Sequence, residues 1–308
     1  MDNQSLKKLI ENIEKVIVGK TEVIKLLITG LLTNGHILIE DVPGLGKTML
    51  ALSLAKSINA DFKRIQFTPD LLPSDVTGGF VFNLKTQEFE FHKGPIFTNI
   101  LLADEINRTT PKTQSALLEC MQEYKVSLEG RTYPLPYPFM VVATQNPIEY
   151  QGTYPLPEAQ IDRFLMKIDM GYLSIEEEVK VISNQRIVHP IEELRAVVEL
   201  ADILKWQQEV KKINISSHIL EYIVKIVSLT RKSQDIKLGA SPRASIALMK
   251  ASSAWALLDG RDYVIPEDVL KLVPFILKHR IILSPKAIIA NKTPEMIISE
   301  LVKSIPVP

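Results

Sequence analysis

The 308-residue sequence predicts an α/β core with a mostly parallel sheet, followed by a helical C-terminal domain. Three observations carry this. Short apolar runs alternate with helix-period segments through about residue 170, the pattern of a parallel sheet covered on both faces. One such run, "HILIE", leads through "DVPGLGKT" into a helical pattern, the strand–loop–helix setting that a phosphate-binding loop requires. Beyond Tyr172, every long segment has helical rather than alternating spacing.

In chain order, Leu6, Leu9, Ile10, Ile13, Val16 and Ile17 recur at helical intervals, and a second helix is expected over about 21–33. "HILIE" reads as a buried strand, "KTMLALSLAKSI" as a helix and "FKRIQF" as a strand. Alternation at Phe80, Phe82 and Leu84 and again at Phe89 and Phe91 predicts a hairpin over about 79–93, with Lys85-Thr86-Gln87 between its runs. "NILLADE" is a buried strand, and Pro111 suits the first turn of the next helix. A second hairpin is expected over about 125–135, turning at Glu129-Gly130. "FMVVATQNP" and "FLMKIDM" supply further strands. Ser174 and Glu177 form a capping box for a helix to about Val188, and His189-Pro190 breaks it. Helices follow over about 196–213, 217–232, 242–258, 266–282 and 294–304, with Pro242, Pro266 and Pro294 near three of their starts. The expected division is therefore a core over 1–172 and a helical domain over 173–308.

Composition narrows the function classes. The 36 basic and 36 acidic residues balance, which disfavours a dedicated nucleic-acid binder. No apolar run approaches the roughly 20 residues that span a bilayer. The N-terminus lacks the basic-then-apolar layout of a signal peptide, so the cytoplasm is the expected location. The single cysteine, Cys120, sits at helical spacing among apolar residues and reads as an inert packed thiol. The five histidines lack ligand spacing, and no histidine–cysteine metal site is expected. Trp206 and Trp255 lie in apolar helical stripes and are expected in the core of the C-terminal domain.

Four elements carry chemistry. The loop reads Asp41-x-x-x-x-Gly46-Lys47-Thr48, with Asp41 where the usual pattern has glycine. Gly44 and Gly46 let the backbone wrap an anion, helix-start N–H groups face it, Lys47 reaches the β and γ phosphates and Thr48 suits Mg²⁺. Asp104-Glu105 ends a predicted strand at the carboxyl edge, where ligands of parallel sheets sit. The first carboxylate can hold the metal's water shell and the second can take a proton from water. Asn146 follows the next strand, where an amide can bond both the γ-phosphate and the attacking water. Arg163 precedes the last strand and Arg243 opens a later helix; either could stabilise charge on a transferring phosphoryl group, and Arg108 and Arg131 are rivals.

The stretches "VIVGK", "LIEDVPGLGKT", "GPIFTNILLADEINRTTPKTQSALLECMQE", "ATQNPIEYQGTYPLPEAQIDRF" and "GASPRASIALMKASSAWALLDGRDYV" together resemble the MoxR family of AAA+ ATPases. That resemblance implies a three-layer αβα core with a five-stranded parallel sheet in the order 5-1-4-3-2, and an all-α lid. It implies ATP with Mg²⁺, Val18 and Gly19 against adenine, and Pro43, Gly44, Leu45, Gly46, Lys47, Thr48 and Met49 around the phosphates. Thr48 and Asp104 would serve the metal, Glu105 would polarise water, Asn146 would sense the γ-phosphate, Arg163 would be the finger and Arg243 the second sensor. Whether Arg243 serves its own site or a neighbour's stays open. The first hairpin matches an insertion within the second helix of this clade, and the "SLEGRTY" hairpin matches one before Asn146. Such hairpins line a central pore in relatives, or else cap the sheet edge. Relatives form rings, usually hexamers, and act as chaperone-like remodellers in metal-cofactor maturation. They often do so with a von Willebrand factor A domain partner, which here would be a separate chain because no DxSxS motif is present. The competing readings are a nucleic-acid motor or loader and a nucleotide switch without turnover.

Overall fold

The computed structural model describes residues 3–147, 153–186 and 188–308. Residues 148–152, inside the stretch that begins "ATQNP", lie outside the described residues.

The chain opens with α1 (Asn3–Glu14) and α2 (Thr21–Leu32), then β1 (Ile37–Glu40), α3 (Lys47–Ser57) and β2 (Phe62–Gln66). A short α4 (Pro73–Thr77) runs into the hairpin of β3 (Gly78–Asn83) and β4 (Glu88–Lys93). Next come β5 (Ile100–Asp104), α5 (Pro111–Glu123), a second hairpin of β6 (Lys125–Leu128) and β7 (Arg131–Pro134), and β8 (Met140–Gln145). The core ends with α6 (Glu158–Ile161) and β9 (Met166–Ile168). The remainder is α7 (Ile175–Asn184), α8 (Pro190–Glu193), α9 (Leu200–Val210), α10 (Ser217–Thr230), β10 (Ile236–Leu238), α11 (Pro242–Leu258), α12 (Pro266–Leu277), β11 (Ile282–Leu283), α13 (Pro285–Ile289) and α14 (Pro294–Lys303).

Five strands form one parallel sheet in the order β2-β5-β8-β1-β9. Numbered as the core's own first to fifth strands, that order is the expected 5-1-4-3-2. Strand period sorts the side chains onto two faces. Ile37, Ile39, Ile100, Leu102, Met140 and Val142 join the core shared with α1, α2, α3 and the C-terminal helices. Leu38, Leu101, Ala103, Val141 and Ala143 join a second core beneath α5 and the hairpins. Both faces are apolar, so these strands read as continuous hydrophobic runs.

α2 is apolar nearly all round, and its residues Leu26, Leu27, Ile28, Thr29, Gly30, Leu31 and Leu32 are all buried. A helix with no polar face must be enclosed. It packs against α1, α9 and α11 and touches β9, so the sheet and the C-terminal helices share one hydrophobic core. Trp206 and Trp255 are buried in that core, as their helical stripes predict. Cys120 is buried against the second core, and burial pushes its thiol up to about 12, the inert state expected of it.

The second hairpin turns at Glu129-Gly130 with both residues at positive φ, the backbone of a type I′ turn. The first returns to the core through turns rather than a resumed helix. Phe91 of β4 stacks on Tyr133 of β7, ring centroids 4.2 Å apart, so the two hairpins are packed together. Beyond that contact Phe82, Leu84 and Phe89 stay exposed.

The C-terminal region departs from an all-helical reading at one place. Ile236–Leu238 and Ile282–Leu283 pair as a two-stranded antiparallel ribbon. The helix expected to reach residue 282 therefore stops at Leu277, because the β-branched run Ile281-Ile282 turns back to pair with β10. The helix expected from 196 starts at Leu200, where the Asp202 carboxylate accepts the Glu199 N–H at 3.0 Å. α7 keeps its predicted capping box at Ser174 and Glu177 and ends at Asn184, short of Val188.

One buried histidine ties the sheet to α5. His36 Nδ1 accepts the Val141 N–H at 3.0 Å, which makes Nε2 the donor to the Met121 carbonyl at 2.8 Å. Burial pushes its pKa down to about 4, against a smaller upward pull from that carbonyl. A histidine held neutral in the fold stabilises fully above its unfolded pKa near 6.5, and that stability is lost as pH falls towards 4. The difference corresponds to about 3 kcal/mol. Thermal melts between pH 7 and 4 should show the midpoint falling below about pH 6.5. His36→Gln should melt lower at pH 7 yet show a flatter acid slope; an unchanged slope would place the acid sensitivity elsewhere.

Candidate functional site

Sheet register decides what meets at the carboxyl edge. Ile39 and Glu40 of β1 lie opposite Thr144 and Gln145 of β8, and Ala103 of β5 lies opposite Ala143. The three neighbouring strands therefore exit at one level. There β1 enters the glycine loop, β5 delivers Asp104 and Glu105, and β8 delivers Asn146. This is the crevice in which open α/β sheets bind ligands.

The loop from Asp41 to Gly46 leads into α3 at Lys47. Gly44 and Gly46 have φ of +88° and +86°, a region that Cβ-bearing residues rarely adopt. A Cβ on either would meet nothing within 4 Å, so the loop curls around open space. That space, with the N-terminal N–H groups of an 11-residue helix beside it, suits a phosphate chain.

Asp41 replaces the missing glycine with a fastening. One carboxylate oxygen accepts the N–H groups of both Met170 and Gly171 at 2.8 Å, and the other accepts the Val42 N–H. The Asp41 carbonyl accepts Lys47 Nζ at 2.6 Å. Burial lowers the Lys47 pKa, while the charges of Asp41, Asp104 and Glu105 pull it back up.

A cavity of about 500 Å³ adjoins the loop, a size typical of small-molecule sites. Pro43, Gly44, Leu45, Gly46 and Met49 line one side, Val18 and Lys20 another, and Met170 to Leu173 with Val181 and Ile182 of α7 the third. The walls away from the phosphate loop are largely apolar, which suits a flat base. Gly19 flanks this cavity rather than lining it, with φ of +71°, and a Cβ there would stand 2.0 Å from the Glu177 carboxylate. Lys47 and Thr48 follow in the first turn of α3.

The acidic pair sits in a network that the sequence does not reveal. Thr144 Oγ1 donates to Asp104 at 2.5 Å and accepts the Glu105 N–H at 2.8 Å. Arg64 on β2 donates to the other Asp104 oxygen at 2.7 and 3.1 Å, and Gln66 donates to Glu105 at 2.8 Å. Glu105 adopts φ of +56°, and Arg108 donates to its carboxylate at 3.0 Å. Arg108 is thus engaged with its own chain's Glu105. Asn146 is buried directly after β8, and its carbonyl accepts from Asn107 at 3.5 Å. Thr144 is the one hydroxyl in the run "MVVATQ", which is buried throughout, so a lone polar side chain in that run is the signal that could have found it.

The arginines fall elsewhere. Arg163 and Arg243 line a cavity of about 300 Å³ shared with Asp162, Lys250 and Arg280, and neither lines the cavity at the phosphate loop. Arg243 NH1 lies 3.6 Å from Asp162. Within one chain, then, the expected second sensor does not join the residues expected to hold the nucleotide. Arg131 is exposed at the turn of the second hairpin.

The donors suit an oxygen-seeking ion such as Mg²⁺, with Thr48 and Asp104 as its candidate protein ligands. Among the described residues no group of three or more His, Cys, Asp and Glu side chains forms a metal cage. A magnesium ion held largely by water and phosphate needs none.

Residues 36–166 match the model of the ATPase family associated with various cellular activities (AAA), and residues 228–301 match the AAA lid domain. Chaperone MoxR1 of Mycobacterium tuberculosis is 42% identical over 99% of this chain and 82% of its own length. The chain belongs to the MoxR family of AAA+ ATPases. Within the same comparisons, YeaC of Bacillus subtilis, an uncharacterised protein, is 56% identical over 98% of this chain and 95% of its own. A crystal structure of a candidate ATPase from Cytophaga hutchinsonii superposes with a TM-score of 0.92 at 43% identity, covering 99% of this chain and 96% of that one. The MoxR core and lid thus account for the sheet order and the C-terminal helices described above.

Replacing Thr144 with valine keeps the shape and removes both of its hydrogen bonds. Leaving the Glu105 N–H and an Asp104 oxygen without this partner should cost about 1–3 kcal/mol in urea unfolding. ATP turnover of Thr144→Val should fall while ATP affinity holds. Unchanged stability and turnover together would show that the hydroxyl does not organise the acidic pair.

Proposed function

We propose that this MoxR protein is an Mg-ATP hydrolase that assembles into a ring: the phosphate loop binds the nucleotide, Glu105 and Asn146 handle water, and a neighbour's arginines complete the site.

 The observation that carries this reading is the convergence of the glycine loop, Asp104-Glu105 and Asn146 at one sheet edge. The division into a core over 1–172 and a lid region over 173–308 belongs to the same reading.

In this scheme the backbone of Gly44 to Thr48 and the Lys47 ammonium bind the triphosphate, and the apolar walls around Val18 and Met49 take the base. Thr48 and Asp104 would hold a magnesium ion, which when bound would supply positive charge to the triphosphate. Glu105 accepts a proton from the attacking water, and the Asn146 amide orients that water. Gln66 and Arg108 hold the Glu105 carboxylate, so these contacts must loosen for the base to work. Arg163 and Arg243 line a separate cavity in their own chain, which supports their acting on a neighbouring subunit's nucleotide. That arrangement requires a closed ring, and a hexamer is the size proposed by analogy with relatives.

The substrate of the motor is proposed to be a client protein. The name of the Mycobacterium tuberculosis relative supports a chaperone role. The exposed Phe82, Leu84 and Phe89 at the end of the paired hairpins give an unfolded segment an apolar surface. Maturation of a metal-dependent client, with a von Willebrand factor A domain protein as adaptor and a cytoplasmic setting, completes the proposal. The equal acidic and basic counts do not favour nucleic acid as the client.

ATP turnover and particle mass test the reading together. Glu105→Gln should bind ATP and lose at least about 10²-fold in turnover. Arg163→Ala should lose about 10³-fold or more while still binding ATP. Wild-type protein should form a ring by mass photometry in the presence of ATP and Mg²⁺. Normal turnover by Glu105→Gln, or full activity as a monomer, would overturn it.

A further inference from the structure

Arg280 lies just beyond α12, and its side chain is only 3% exposed. A buried guanidinium is costly unless its donors are satisfied. Here all five N–H groups have acceptors. Nε donates to the Asp162 carboxylate at 2.7 Å. One terminal nitrogen donates to the Leu165 carbonyl at 3.0 Å and the Ile276 carbonyl at 2.5 Å. The other donates to the carbonyls of Asp162 at 3.3 Å and Phe164 at 2.6 Å. Four of these five bonds fall on residues 162–165, the segment that carries Arg163.

Asp162 extends the connection. Its second carboxylate oxygen lies 3.6 Å from Arg243 at the start of α11. One carboxylate thus links Arg280 to Arg243, while the flanking carbonyls fix the backbone on either side of Arg163. His279, half-buried, adds a bond to the Phe164 carbonyl at 3.2 Å. Arg163, Arg243 and Arg280 all border the same cavity.

We propose that Arg280 is a positioning residue for the two arginines: it locks the Asp162–Leu165 segment to the lid so that Arg163 and Arg243 reach a neighbour's nucleotide as one unit. The inference rests on the reading that both arginines act between subunits. Arg280 itself touches no nucleotide in this scheme. The fork geometry is essential to it, because a lysine ammonium carries the charge but cannot reach carbonyls spread along a segment in one plane.

The test uses full-length protein and mixed subunits. Arg280→Lys should keep its affinity for a fluorescent ATP analogue within about twofold and lose about 10–100-fold in turnover. Mixed with Glu105→Gln subunits, which are inactive but retain intact arginines, it should recover turnover, because its own phosphate loop is then served by a sound neighbour. Asp162→Asn, which keeps the size of a partly exposed side chain, should show the same pattern with a smaller loss. It stands in if Arg280→Lys does not fold. Arg163→Ala mixed with Glu105→Gln is the reference and should also recover. Recovery in the reference without recovery by either positioning variant overturns the role of Arg280. Wild-type turnover by both positioning variants does so too. No recovery in the reference removes the inter-subunit reading and this inference with it.

Discussion

The register between β1 and its neighbour β8 is the constraint on which the site depends. Pairing Glu40 with Gln145 and Ala103 with Ala143 brings three chain exits to one level. A slip of one residue would turn every buried side chain of a strand to the opposite face. Because each face is packed against its own hydrophobic core, such a slip would disrupt both. The burial that stabilises the sheet therefore also fixes the spacing between the glycine loop, the acidic pair and Asn146.

The acidic pair shows how local chemistry is layered on that register. Thr144 is fully buried in the central strand, yet its hydroxyl is satisfied by Asp104 at the end of β5 and by Glu105 just beyond it. Arg64 and Gln66, two residues apart on β2 and so on one face, reach the same pair from the other side. Carboxylates at the edge of a sheet would otherwise be fixed only by their own rotamers. Here strands on both sides hold them, and their charge raises the pKa of Lys47 against the larger lowering that burial imposes.

Much of this was legible in the sequence. The apolar runs, the Glu129-Gly130 turn, the Ser174–Glu177 capping box and the strand–loop–helix around Lys47 each carry a local signal with a physical cause. The rest depends on contacts between distant segments. Arg280 binds mostly backbone carbonyls, which every residue possesses, so apart from the Asp162 carboxylate the side chains at positions 162–165 do not mark the contact. The β10–β11 ribbon joins two runs of three and two residues, too short for alternation to show. The separation of Arg243 from the phosphate loop follows from how the lid packs on α2, a tertiary fact with no counterpart in the motif.

Asp41 has a consequence for how the pocket can deform. Its carboxylate joins the start of the phosphate loop to the chain leaving the fifth core strand, while its carbonyl holds the lysine at the other end of that loop. Floor and rear wall are thus riveted at a single side chain, and neither can drift without shearing two amide contacts. A glycine would have granted the loop more latitude; the aspartate trades that latitude for a pocket whose two sides travel together.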